Sequence, residues 1–199
     1  IVIAASVVLW ISSRKSGSNE LLAEALRVDG AAIVATGANP ADPARPTFAS
    51  ESARRARAKE LFTELDSRYG GSKTGRVAKL YLAQIAVAEG DKEKAKQLWQ
   101  AFLDAEPAGA LQATARVNLY KLEREQGRGA QLAEELKKML EQADKPLPTD
   151  VILFELGLTY EALGQGDEAR AAYRRIVDEY PQSPYIADAQ REAGTAPAG

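Results

Sequence analysis

The chain has 199 residues, no cysteine and no histidine, and carries 26 Lys and Arg against 28 Asp and Glu, for a net charge of −2. Without thiol or imidazole there is no cysteine nucleophile, no histidine-based triad, no Cys/His zinc site and no disulfide framework, so only carboxylate, Lys, Ser/Thr or Tyr chemistry is open. The near-zero charge gives no global attraction to nucleic acid, and the lack of cysteine suits an oxidising compartment.

The opening run Ile1-Val2-Ile3-Ala4-Ala5-Ser6-Val7-Val8-Leu9-Trp10-Ile11 is uncharged, and the first charges are Arg14 and Lys15. It is shorter than the roughly 20 apolar residues of a full span. Residues 1–13 therefore read as the C-terminal part of a transmembrane anchor helix whose first half is missing. Trp10 then sits near the headgroups, with Arg14 and Lys15 in the polar layer. The alternative is the apolar region of a signal peptide, but no small-x-small cleavage pattern follows closely. Taken alone, Arg14 and Lys15 favour the cytoplasm for this side of the membrane.

Leu21, Leu22, Ala25, Leu26, Ala32 and Ile33 recur at helical spacing and predict a leading helix over 14–36, weakest at Gly30. Pro40, Pro43 and Pro46 make 37–49 a loop. From Ser50, a possible N-cap, a solitary helix is predicted over 50–69, with Ala58, Leu61, Phe62, Leu65 and Tyr69 on its apolar side.

That helix exposes a repeat. Ala58, Phe62, Leu65 and Tyr69 lie 111 positions, three steps of 37, before Ala169, Tyr173, Ile176 and Tyr180. Ala95, Trp99 and Phe102 occupy one intermediate step, and Leu132, Leu136 and Met139 the other. Gly90, Gly127 and Gly164 keep the same spacing and end the first helix of each pair. The pairs run over 75–106, 112–143 and 149–181. Ser183-Pro184 then starts a capping helix over 183–193 that covers the open end of the stack. Residues 194–199 are a flexible tail.

The order Leu153, Leu156, Gly157, Tyr160, then Ala169, Tyr173 and Pro181 across the Gly164-Gln165-Gly166-Asp167 break resembles a tetratricopeptide (TPR) helix-turn-helix unit. The fold class is all-α: a tetratricopeptide-like helical-hairpin solenoid over 50–193, behind an N-terminal membrane-anchor helix. The step of 37 exceeds the ideal of about 34, so the connections between pairs are long. The middle pair departs most, with Tyr120 and Leu132 where its neighbours have small residues, and its helices are expected to cross differently.

A solenoid works mainly through the concave side lined by first helices. On this phasing Val77, Leu80, Tyr81, Gln84, Val117, Asn118, Lys121, Arg124, Phe154, Leu158 and Glu161 face it, and the peptide-binding candidates are Tyr81, Gln84, Asn118, Lys121, Arg124, Phe154, Leu158 and Glu161. The rival reading buries Leu80 and Phe154 under an N-terminal helix folded over the groove. Only Asn118, Lys121 and Arg124 cluster as cationic or amide groups, which speaks against capture of a free C-terminus. Arg54-Arg55-Ala56-Arg57 and Arg174-Arg175 are diluted by Glu51, Glu60 and Glu179, as on a solvated helix face. Glu123, Glu125, Glu134 and Glu135 lie near Arg128, Lys137 and Lys138, as in surface salt bridges. No catalytic, metal or cofactor-binding residue is assigned, and neither nucleic acid nor a small-molecule substrate is expected.

The anchor, the run from Gly75 to Ala88 into Gly90-Asp91-Lys92-Glu93-Lys94-Ala95, and Ala115-Arg116-Val117-Asn118-Leu119 resemble the YfgM family of bacterial inner-membrane proteins. That resemblance implies a single-pass inner-membrane protein with its TPR domain in the periplasm. It also implies association with the Sec translocon and a chaperone-like role for envelope proteins, with translocon subunits, envelope proteins or periplasmic chaperones as partners. Glu179-Tyr180-Pro181-Gln182-Ser183-Pro184-Tyr185-Ile186-Ala187-Asp188-Ala189 is instead similar to repeat endings of BamD- and CpoB-type envelope TPR proteins. Those imply a scaffold for outer-membrane assembly or cell-wall coordination. A structural subunit of a larger complex is the third reading, with Tyr81 and Phe154 exposed in the isolated chain.

Overall fold

The computed structural model describes residues 17–34, 46–105 and 110–194. The anchor expected over 1–13, most of the proline-bearing loop and most of the tail lie outside the described residues. Among the described residues, no helix is long and apolar enough to cross a membrane. The chain falls into two compact units, residues 1–107 and 108–199.

In the first unit, helix α1 (residues 17–29 as described) stops at Gly30, where Gly30 N–H donates to Leu26 O and Ala31 N–H to Val28 O. The helix predicted to run on to residue 36 therefore ends earlier. Glycine is a poor interior helix residue, and the β-branched Ile33 and Val34 suit extended backbone. Strand β1 (Ala32–Ile33) pairs in parallel with β2 (Thr47–Phe48), and Val34 N–H donates to Phe48 O at 2.9 Å. This small pairing qualifies the all-α expectation. It returns Phe48 to the core of the unit.

Helix α2 (Glu51–Tyr69) starts as its sequence indicates: the Ser50 hydroxyl accepts from Ala53 N–H at 3.1 Å. It does not stand alone. Ala25 and Val28 of α1 enter one core with its Ala58, Leu61, Phe62 and Leu65, so α1 takes the place of a first helix. The sequence hid this pairing because the connection from α1 to α2 is far longer than the turns of the other pairs.

Ser72 caps α3 (Lys73–Ala88) by accepting from Gly75 N–H at 2.9 Å. Any Cβ on Gly75 would collide with the Tyr69 carbonyl, so glycine permits the close α2–α3 turn. Helix α4 (Lys92–Ala105) buries Ala95, Trp99, Phe102 and Leu103.

The second unit holds α5 (Ala110–Glu125), α6 (Gly129–Glu141), α7 (Thr149–Ala162), α8 (Gly166–Glu179) and α9 (Ile186–Glu192). Gly90, Gly127 and Gly164 have φ of 82°, 75° and 72°. At each, the glycine N–H bonds three residues back and the next N–H five residues back: Asp91 to Ala86, Arg128 to Glu123 and Gln165 to Tyr160. These are three Schellman ends, each requiring the left-handed residue that glycine supplies without strain.

The pairs differ in how their large and small residues interlock. In α7–α8, Gly157 faces the Tyr173 ring. In the middle pair the order is reversed, with Tyr120 on the first helix and Leu132 and Leu136 on the second, all buried. Helices α5 and α6 accordingly lie less closely together than α7 and α8, and α6 packs chiefly on α7. The long α6–α7 connection is pinned by Leu147, buried in that core. Capping helix α9 begins at Ile186, later than the Ser183 start expected. Ser183 instead holds a turn ahead of it, its Oγ accepting from Tyr185 N–H at 3.2 Å.

Candidate functional site

The eight candidates divide between the units, and each unit places its own. In the first, Tyr81 on α3 is half-buried and stacked on Phe62 of α2, with centroids 4.5 Å apart and planes 8° apart. Its ring is a packing element rather than the exposed aromatic expected in an isolated chain. Gln84, one turn on, is exposed, while Leu80 is buried.

In the second unit Lys121 is exposed, and Asn118 donates through Nδ2 to the Thr114 carbonyl at 2.8 Å. Arg124 does not join them as a free cation. Its Nη1 lies 2.6 Å from Glu155 Oε2 of α7, with the two side chains only 12% and 5% exposed. The same nitrogen is 3.5 Å from Thr159 Oγ1, which donates to the Glu155 carbonyl at 2.6 Å. Burial pushes the Glu155 carboxyl up, and Arg124 pulls it back by hydrogen bond and charge. This pair ties α5 to α7, so the guanidinium cannot serve as a free clamp for a carboxylate. Glu155 was missed by sequence reasoning. A lone acid inside Val151-Ile152-Leu153-Phe154-Glu155-Leu156 was the available signal, because a charge in an apolar run demands a partner.

Phe154 is half-buried, but by neighbours inside the second unit. Its ring stacks on Tyr185 at 4.3 Å and 17°, and tilts against Tyr173 at 5.7 Å and 60°. Tyr185 is set by the turn that Ser183 holds, and the Ser183 hydroxyl donates to Asp150 Oδ2 at the start of α7 at 2.8 Å. Leu158 is half-buried and Glu161 exposed, so α7 presents a mixed apolar and acidic strip.

The charged runs are spent on neighbouring acids, and Arg54, Arg55 and Arg128 are half-buried, Arg54 also donating to the Ala31 carbonyl at 3.2 Å. Arg54 and Arg55 reach Glu51 at 2.7 and 3.4 Å, Arg57 reaches Glu60 at 2.9 Å, and Arg175 reaches Glu179 at 2.8 Å. Lys137 pairs with Glu134, and Arg128 lies 3.7 Å from Glu123. Among the described residues, no group of three or more Asp or Glu is arranged to hold a metal ion.

Helical pairs with glycine-ended first helices and small residues facing large ones describe a repeat family, and the profile of the tetratricopeptide repeat-like domain matches residues 44–189. The chain belongs to the tetratricopeptide repeat-like family. No curated protein matches it. The matched region takes in α2 to α8 and part of α9, and so contains all eight candidate residues. Tetratricopeptide-like domains commonly act as protein-binding scaffolds without catalysis, which fits side chains used here for packing and ion pairing.

Proposed function

We propose that this tetratricopeptide protein is an adaptor with a chaperone-like role, binding polypeptides through the open faces of its first helices and held at a bacterial inner membrane by the apolar residues 1–13. The observation that carries the reading is the strip on α7, where half-buried Phe154 and Leu158 lie beside exposed Glu161 in a family of protein-binding repeats. The membrane part rests on the run from Ile1 to Ile11, and the periplasmic part on the resemblance to YfgM-type proteins against the weak cytoplasmic signal of Arg14 and Lys15. On this reading the repeat domain works in the periplasm beside the Sec translocon, with translocon subunits, envelope proteins or periplasmic chaperones as partners. Tethering raises the effective concentration of a partner in the same membrane, so a weak face suffices.

The test is a crosslinking pull-down from the native membrane, comparing the full chain with one freed of residues 1–18. The anchored chain is expected to recover translocon or envelope polypeptides and the freed chain far less, while both stay folded. Equal recovery by the two would reject the tether. The stretch Glu179 to Ala189 favours a second reading, an outer-membrane-assembly or cell-wall scaffold, and recovery in the outer-membrane fraction would select it.

A further inference from the structure

Helix α7 contains three acids, Asp150, Glu155 and Glu161, and no Lys or Arg. Two of them have partners within the second unit: Glu155 holds Arg124, and Asp150 accepts the Ser183 hydroxyl. Among the described residues, exposed Glu161 takes part in none of the unit's ion pairs. On α9, Glu192 and Asp188 share the single Arg191. This end of the unit therefore carries more carboxylate than cation.

The surplus surrounds a buried polar group. Tyr173 is 1% exposed, and its hydroxyl is buried without a hydrogen bond of normal geometry. Burial first, and then the Glu161 and Glu192 carboxylates beside it, push its phenol well up. Phe154 lies against the same ring and carries Tyr185 on its other side. An uncharged apolar ligand pressed onto this strip would desolvate Glu161 with no cation to pair it and Glu192 with only the Arg191 it shares with Asp188, and an acidic ligand would be repelled. A Lys or Arg side chain instead lays its methylenes along the aromatic surface and delivers its charge to the rim.

We infer that the α7–α9 face, with Phe154, Leu158 and Tyr185 as its apolar floor and Glu161 and Glu192 as its acidic rim, docks an apolar segment flanked by Lys or Arg on the partner polypeptide. This rests on the adaptor reading and specifies the chemistry of the partner.

The test uses the full chain and three labelled short peptides of Leu and Phe, flanked by Lys, by Gln or by Glu, followed by fluorescence anisotropy. The Lys peptide is expected to bind about fivefold or more tighter than the Gln peptide, and the Glu peptide weakest, with the differences shrinking at high salt. Glu161→Gln with Glu192→Gln should remove that preference without moving the unfolding midpoint, since both residues are exposed. Equal binding of the Lys and Gln peptides, or a preference that survives the double change, overturns the inference. If Phe154→Ala weakens that charge-blind binding, the adaptor reading stands while the charge selectivity falls. Failure of all three peptides to bind overturns both the inference and the assignment of binding to this face.

Discussion

The ring of Tyr173 occupies the space that a side chain at position 157 would need: a Cβ on Gly157 would lie 2.5 Å from Cε1 and 2.6 Å from Cζ of that ring. Tyr173→Ala is expected to cost about 3–5 kcal/mol, the range for emptying a large aromatic site. Gly157→Ala destabilises by forcing the ring aside. Combined with Tyr173→Leu, which leaves room, Gly157→Ala should cost much less than the sum of the two single changes. A double-mutant cycle in urea checks this, and strict additivity would contradict the interlock.

Gly127 has left-handed backbone and nothing within 4 Å of a built Cβ, so a side chain there meets strain alone. Gly127→Ala should lower stability by about 1 kcal/mol. Gly166, where α8 begins, has no such φ, and Gly166→Ala should be neutral or slightly stabilising. Thermal unfolding of the pair separates the two cases.

The Arg124–Glu155 pair is worth more intact than half removed. Arg124→Met leaves a buried carboxylate without a partner and is expected to cost about 3–5 kcal/mol, whereas Arg124→Met with Glu155→Met should cost far less. Chemical denaturation of the three variants decides it.

The same carboxyl sets a pH dependence. Its folded pKa is raised above the ordinary 4.5, so folding favours the protonated form. That contribution is fully present below the unfolded value and is lost as pH rises through the folded one. The stability margin of the parent over Glu155→Gln should therefore narrow as pH increases from the ordinary carboxylate range toward neutrality. A margin that widens instead would show Arg124 outweighing burial.

Ser183→Ala should cost about 1–2 kcal/mol by leaving the Asp150 carboxylate short of its donor. It should also loosen Tyr185 from Phe154, seen as a change in near-ultraviolet dichroism without loss of helicity.

The repeat was legible because its signals are local and periodic. Gly90, Gly127 and Gly164 announce three helix ends, and Gly157, Tyr120 and Leu132 announced which pair would interlock and which would not. The α1–α2 pairing and the β1–β2 contact were hidden, because each joins segments across a long connection with no periodic mark. The candidate face was half legible. Helical phasing put Tyr81, Arg124 and Phe154 on one side of their helices, but their partners Phe62, Glu155 and Tyr185 come from other elements and are fixed only by the fold. For that reason the exposed positions Gln84, Lys121 and Glu161, and not Tyr81 or Arg124, are the residues on which binding can be probed without unfolding the protein.

Site-specific photo-crosslinking in the native membrane reveals which helix faces meet the partner. A photoreactive residue is placed singly at Gln84, Lys121 or Glu161 on first helices, and at Arg174 on the exposed side of α8. Binding through the first helices predicts polypeptide adducts from Gln84, Lys121 and Glu161 and none from Arg174. Adducts from Arg174 alone, or equally from all four positions, would rule out binding through the first helices.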